Sequence, residues 1–394
     1  MGRNHFPCLN RICQLSVLAI LFAWAATYST PAHAQTYEVI HNFGNGTDGA
    51  VPNGAIYTDS AGNIYGATSG GGTSGAGVIY QIDQNGKETI LHSFDPSHSI
   101  FPTPGLSFFN GTWLFGVTQS GGGSQQGSIF AQQLSPPAFK VVHSFGGPDG
   151  SDPVGTLVLA LDGSTAYRVT SSGGAYNQGE VYKIDKSGDV TVIYSFTGGL
   201  DGATPAAGLW LDSQANLYGV TAGGGPQDRG VFFRIAPTGE ETVLHNFEAI
   251  TGTLPYSTPV ADGMGNVYGT TRTGGGQNGA GVIYRLNLAT TNYTVVHTFS
   301  SRQTSLGETP IGNLVKDGSG HVYGVTFSGG SSSCECGLVY QMMAAGSYAV
   351  LHTFGGNDGA NPNWLYRDPT TGVLYGTTVS GGTYGQGVLF RITP

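Results

Sequence analysis

Seven times the chain runs through a short strand-like phrase that ends in Tyr-Gly or a near variant, with Thr three places after the aromatic. The aromatics are Tyr65, Phe115, Tyr167, Tyr218, Tyr268, Tyr323 and Tyr375, and the threonines are Thr68, Thr118, Thr170, Thr221, Thr271, Thr326 and Thr378. Successive aromatics are 50, 52, 51, 50, 55 and 52 residues apart. A fixed period of this size is one supersecondary unit copied along the chain, which constrains the fold more than any local propensity does. It also means that most repeated residues serve folding, so function is sought in loops and in departures from the repeat.

Each unit holds four strand-like phrases, as in repeat four at 205–212, 216–221, 230–235 and 241–247. The first two are joined by tight turns that open on Asp and close on Gly or Asn, such as Asp59 to Asn63 and Asp262 to Asn266. These residues form hairpin turns because Asp accepts backbone N–H bonds and Gly tolerates positive φ. No window after residue 34 has the 3.6-residue apolar period of a helix. Four antiparallel strands per unit, seven times over, predict an all-β chain: a seven-bladed β-propeller. A parallel β-solenoid fits worse, because its coils are shorter than this period and have no use for hairpins. The fourth phrase occurs at 38–43, 89–94, 140–145, 191–196, 242–247, 294–299 and 349–354. Its first copy precedes every first-to-third set, and the last set has no fourth strand after it. The amino-terminal strand is therefore expected to join the carboxy-terminal blade and close the ring.

Residues 1–34 read as a secretory signal peptide. Arg3 and Arg11 start it, a twelve-residue apolar run from Leu15 to Ala26 is broken only by Ser16, and Ala32-His33-Ala34 is the cleavage signal. That run is too short to span a bilayer, and no second one follows. The domain then covers 35–394, and the expected location is secreted, periplasmic or at the cell surface. Arg3 and Arg11 fall in the leader, which leaves 13 Lys+Arg against 24 Asp+Glu, a net charge of −11. Such a balance argues against nucleic acid or an anionic membrane surface as partner.

The unit reads Gly-Asn-Leu-Tyr-Gly-x-Thr, a Gly-Gly loop, Gly-Val-x-Tyr/Phe, then Thr-Val-Leu-His-x-Phe. In this it resembles the GloVer tandem-repeat family of exported bacterial proteins, over essentially all of residues 36–394. The resemblance implies export and a repeat domain, often with a surface-anchoring tail that this sequence, which stops at Pro394 after a strand, does not show. It implies no reaction, so no site residue carries over. A looser likeness to kelch propellers lies in the Gly-Gly after the second strand, without the regular downstream Trp.

Six fourth strands carry a histidine, at His41, His92, His143, His245, His297 and His352, with Tyr194 in the seventh. One histidine per blade places them far apart, whereas metal ligands must converge to about 2 Å from one ion. They are read as bonded to a neighbouring blade or loop, and no metal or cofactor is expected. The threonines are expected to bond the loops that follow them. Long Gly-rich connections join second to third strands at 69–77, 119–127, 171–179, 222–230, 272–281, 327–337 and 379–387. They share a face with the connections between blades, and function concentrates on loops held by a rigid scaffold. Departures from the repeat single out Tyr176 and Tyr384, exposed aromatics suited to stacking on a sugar or a partner side chain, and the charges Asp228 and Arg229. Cys334 and Cys336 can close a small disulfide, and Arg168 replaces the usual Gly in repeat three. No nucleophile elbow, His-Glu-x-x-His or phosphate loop is present. The favoured reading is a monomeric binding module for a carbohydrate or protein ligand. The alternatives are a polysaccharide hydrolase or lyase and a structural envelope repeat.

Overall fold

The computed structural model describes residues 35–393 apart from 45–46, 96–98, 104, 110, 302–303, 332 and 344–345, so the leader expected over 1–34 lies outside the described residues. Seven antiparallel sheets follow one another along the chain, each ordered first, second, third, fourth strand outward. They are the seven blades. Blade 7 is completed by Thr36–Asn42, which pairs with Val388–Thr393 from Thr36 opposite Thr393 to Asn42 opposite Val388. Ring closure by the amino-terminal strand is thus as the repeat count predicts. The helical content of the described residues is one 3₁₀ turn, Thr304–Leu306.

The inner strand departs from the sequence reading. It reads as one phrase per repeat, but in blade 4 it is two short pieces, Ala203–Pro205 and Trp210–Leu211, and blades 1, 2 and 5 are split likewise. Split or continuous, the inner strand carries a kink before a proline. Val51, Asp152, Thr204, Leu254, Thr309 and Asn361 each have φ between 51° and 57°, and each precedes a proline. A non-glycine residue there costs on the order of 1 kcal/mol or more. The kink turns its N–H out of its own sheet toward the preceding blade. Val51 N donates to Gln386 O at 2.8 Å, Thr204 N to Gln178 O at 2.9 Å, and Asn361 N to Cys336 O at 2.7 Å. Each proline ring packs against the glycine that ends the preceding blade's long loop, from Gly387 on Pro52 to Gly337 on Pro362. A Cβ on any of these seven glycines would lie 2.6–3.2 Å from a proline Cδ.

Blades also meet through aromatic rings. The phenylalanine ending each outer strand, Phe43, Phe94, Phe145, Phe196, Phe247, Phe299 or Phe354, is at most 1% exposed. Each packs at 5.0–5.6 Å on an aromatic in the next blade's third strand, from Phe43 on Tyr80 to Phe354 on Phe390. Burying each such ring stabilises by about 1.5–3 kcal/mol. Within a blade, the tip of that third-strand ring fills the space over the Gly of Tyr-Gly-x-Thr. A Cβ on Gly66, Gly116, Gly219, Gly269, Gly324 or Gly376 would come within 2.1–2.5 Å of it. The motif threonines have the expected structural role: Thr221 Oγ1 donates to Gly223 O at 2.9 Å and accepts from Val231 N at 3.0 Å. The hairpin aspartates are turn formers. Asp212 accepts from Gln214 N, Asn216 N and the Tyr218 hydroxyl, so the motif tyrosine ties the turn to its own strand.

Candidate functional site

The two kinds of connection do share a face. Gly72 N donates to Asp48 O, Gly174 N to Gly147 O, Gly225 N to Gly199 O and Gly382 N to Gly356 O, joining each long loop to the connection that enters its blade. Inside the ring the inner strands leave a central channel with a cavity toward each end. Toward the long-loop face lies a cavity of about 390 Å³, formed by the starts of inner strands and the ends of second strands. Its polar lining includes Asn53, Thr103, Gln119 and Arg272, with Tyr256, Phe327 and Trp364 supplying aromatic surface. Three glycines, Gly155, Gly208 and Gly312, keep the channel open there. Gly155 is in the left-handed region, and a Cβ on it would sit 2.5 Å from Gly208 Cα. Toward the hairpin face a second cavity of about 450 Å³ is lined by Ile56, Leu106, Phe108, Leu157, Leu314 and Tyr366 among others.

Much of the polar lining is already engaged. Asn363 Nδ2 donates to Pro52 O and Asn53 Oδ1, and its Oδ1 accepts from the buried Thr377 hydroxyl, tying blade 7 to blade 1. Arg272 is exposed and lies 6.0 Å from the Tyr256 ring, a cation–π distance. Among the described residues no carboxylate, histidine or cysteine lines either cavity.

None of the four residues singled out as ligand contacts lines the channel. Tyr176 and Tyr384 are exposed at 58% and 47% in the long loops of blades 3 and 7, on separate sectors of the ring. Asp228 holds its own loop, accepting from Gly224 N at 2.8 Å with φ +52°. Arg229 Nε is buried without a hydrogen-bond partner. Cys334 and Cys336 are joined in a disulfide in the blade 6 loop. Arg168 is fully buried at the blade 2–blade 3 boundary, where Nε donates to Val154 O and Nη1 to Gly105 O. Burial lowers it to about 10. The channel lining and its arginine went unnoticed in the sequence because these positions vary from blade to blade. One signal was available: a proline recurs at 52, 102, 153, 205, 255, 310 and 362, marking every inner strand.

The outer-strand histidines behave as neighbour contacts. His92 stacks on Phe139, His245 on Tyr293, His297 on Tyr348 and His352 on Tyr37, at 3.6–4.1 Å and within 4° of parallel. Each partner belongs to the next blade's outer strand. Burial holds His92, His245 and His297 down at about 4, so they are neutral. His143 and His352 instead bond the aspartates of their own connections, Asp149 at 2.7 Å and Asp358 at 2.9 Å. Where the stacking position holds glutamate, two carboxylates meet. Glu88 and Glu241 are both pushed up to about 7, first by burial and then by Asp48 and Asp201 respectively.

Fold and channel together define a seven-bladed propeller whose mouth, among the described residues, is lined by amides, hydroxyls, aromatic rings and one arginine. The sequence matches the Gloeobacter/Verrucomicrobia repeat over residues 22–228 and 208–394, and the chain belongs to that family. No curated protein sequence matches it. Among solved structures it is similar to the extracellular domain of a protein assigned as a one-component system in B. thetaiotaomicron, at TM-score 0.60 and 13% identity. That match covers 90% of this chain and 39% of that one, so this chain spans about two fifths of its length. An oligogalacturonate lyase from Vibrio parahaemolyticus is similar at TM-score 0.56 and 12% identity, covering 91% and 96%. A puromycin-hydrolyzing peptidase from Mycobacterium tuberculosis gives 0.50 and 12%, covering 84% and 50%. At such identities the likeness is one of fold.

Proposed function

We propose that the protein is an exported binding module that takes a carbohydrate at the long-loop mouth of its channel. The observation that carries this reading is the composition of that mouth, where amides, hydroxyls and aromatic faces surround a cavity large enough for a small saccharide. Amides and hydroxyls match sugar hydroxyls in both donor and acceptor roles, and aromatic faces cover the apolar faces of sugar rings. Arg272 is the one cation among the described residues of the lining and would favour a glycan bearing a carboxylate. The similar fold of a lyase for oligogalacturonate, an acidic saccharide, fits that preference without carrying it. A lyase or hydrolase would need an acid or base at the reacting bond, and the described lining offers none. A protein ligand is the second reading, favoured by Leu200 and Ile250, each 70% exposed in connections on the same face.

The test is a glycan array probed with the protein beginning at Gln35, followed by titration of the hits and a reducing-end assay. Binding of uronate-containing saccharides, weakened at least tenfold in Arg272→Ala without release of new reducing ends, is the expected result. New reducing ends would move the protein to the enzyme class. A blank array, together with protein partners lost on Leu200→Asp or Ile250→Asp, would favour the second reading.

A further inference from the structure

At the seam between the closing strand and blade 1, three side chains from different segments converge. His41 lies on the closing strand, Asp48 in the connection after it, and Glu88 at the start of blade 1's outer strand, and one potential ligand atom from each lies within 4.8 Å of the others. His41 Nε2 is 3.5 Å from Asp48 Oδ2 and 3.8 Å from Glu88 Oε2. These separations are too long for hydrogen bonds. They approach the spacing of about 3.3 Å between ligand atoms that sit 2.0–2.1 Å from one tetrahedral ion.

Each side chain turns an unengaged atom toward the common point. His41 Nε2 is buried and makes no hydrogen bond. With the proton on Nδ1, Nε2 offers a free lone pair, as in metal-binding histidines. Asp48 Oδ1 is taken by Gly44 N at 2.8 Å, which leaves Oδ2 toward the histidine. Glu88 keeps Oε1 buried without a partner, its side chain only 9% exposed. A lone pair and two carboxylates therefore face one another with no donor between them.

Three other blade boundaries show what the seam lacks. His143 and His352 reach their aspartates directly, at 2.7 and 2.9 Å, and there the next blade brings Val190 or Tyr37 in place of a glutamate. At the third, Tyr194 donates its hydroxyl to Asp201 at 3.0 Å beside Glu241, so a donor fills the gap. Only the seam combines an imidazole acceptor with two carboxylates among the described residues.

We infer that His41 Nε2, Asp48 Oδ2 and a Glu88 carboxylate oxygen bind one divalent first-row cation of the Zn²⁺ type, with water completing the coordination. One nitrogen and two oxygens suit such an ion better than Ca²⁺ or Mg²⁺, which take oxygen ligands. The ion would join the closing strand to the connection after it and to blade 1's outer strand, and so fix that strand against blade 1.

The experiment uses the protein beginning at Gln35, stripped with chelator and titrated with Zn²⁺ by calorimetry and thermal unfolding. One equivalent is expected to bind and to raise the Tm by several °C, since an ion held only by the folded state stabilises it. His41→Tyr copies the side chain that blade 3 uses in the same setting, and Glu88→Gln keeps the shape of the glutamate, so both variants should fold. Each should weaken Zn²⁺ binding at least about tenfold and abolish the Tm rise, whereas Glu241→Gln should leave both unchanged. Absence of stoichiometric binding, or equal binding in His41→Tyr and Glu88→Gln, overturns the assignment.

Discussion

The same seven inner strands build both ends of the channel, yet glycines gather at one end and large aliphatic side chains at the other. Toward the long loops the strands begin with small and polar residues, Asn53, Thr103, Gly155, Gly208 and Gly312. Toward the hairpins they end in Ile56, Leu106, Phe108, Leu157 and Leu314. The difference follows from how each end is braced. At the long-loop end backbones of neighbouring blades approach closely, as Gly155 does Gly208, and side chains there must be small or bonded across the boundary. At the hairpin end large apolar side chains line the cavity instead. Hydrogen bonds cross blade boundaries at both ends, as from Leu365 N to Asn313 Oδ1 at the hairpin end, so what sets the long-loop end apart is its close backbone contact and its cation, Arg272.

Opening the ring should break both ends together and has the largest expected effect. A protein beginning at residue 46 loses Phe43, wholly buried, and the partly buried Val39 and Ile40. Those side chains are worth up to about 1.5–3 kcal/mol each, less for the two that are partly exposed. It also leaves Val388–Thr393 as a bare edge. Aggregation, or a Tm far below that of the protein beginning at Gln35, is expected, and equal melting temperatures would contradict closure.

Glycines separate the two ends next. Gly155→Ala puts a methyl 2.5 Å from Gly208 Cα in the left-handed region and should cost about 2–3 kcal/mol. Gly163→Ala, in a hairpin at the other end with nothing within 4 Å of the new methyl, should cost about 1 kcal/mol. Denaturant titration measures both, and equal losses would erase the distinction drawn between the ends.

A binding comparison is sharper still. Arg272→Ala should weaken a bound acidic glycan at least tenfold while moving stability by less than about 0.5 kcal/mol. Leu159→Ala, at the hairpin end, should leave binding unchanged. Equal loss in both variants would mean that the ligand runs through the channel rather than sitting at its polar mouth.

The smallest effect concerns pH. No carboxylate or histidine lines the described channel, so glycan affinity should be flat between about pH 5.5 and 8, above the ordinary range of a uronate carboxyl. Stability should not be. Glu241 is raised to about 7 in the folded protein, above its ordinary value, so the folded state holds the proton more tightly. Its contribution is fully present below about 4.5 and is lost as pH rises through about 7. Glu241→Gln should therefore gain on the wild type across that window, by about 1–2 kcal/mol after discounting for partial exposure. A difference that does not change with pH would contradict the buried carboxyl.

The fold was legible because the repeat writes it seven times, and even closure followed from counting Thr-Val-Leu-His-x-Phe phrases. The kinked inner strand was not, because a proline within a strand phrase does not reveal that its predecessor adopts positive φ. That conformation depends on a hydrogen bond to another blade, as from Val51 to Gln386. The site was less legible. Tyr176 and Tyr384 stand out in sequence because they are aromatic in glycine-rich loops, but the channel is lined by positions such as Gln119 and Arg272 that no local pattern marks. The seam was hidden for the same reason. His41 reads as one copy of a repeated histidine, and its difference arises only when Glu88 arrives from the adjoining unit.

The contact between a loop-ending glycine and the next blade's proline recurs at all seven boundaries with nearly the same spacing. Because backbone and a rigid ring make this contact, it sets how far each unit turns from the last, whatever the loops above it contain. Descendants of such a protein can rewrite those loops one at a time and change what they recognise. Gaining or losing a whole unit is another matter, since every joint would then hold the wrong angle for the first strand to find the last. Innovation in this architecture is cheap at the surface and forbidden in the count.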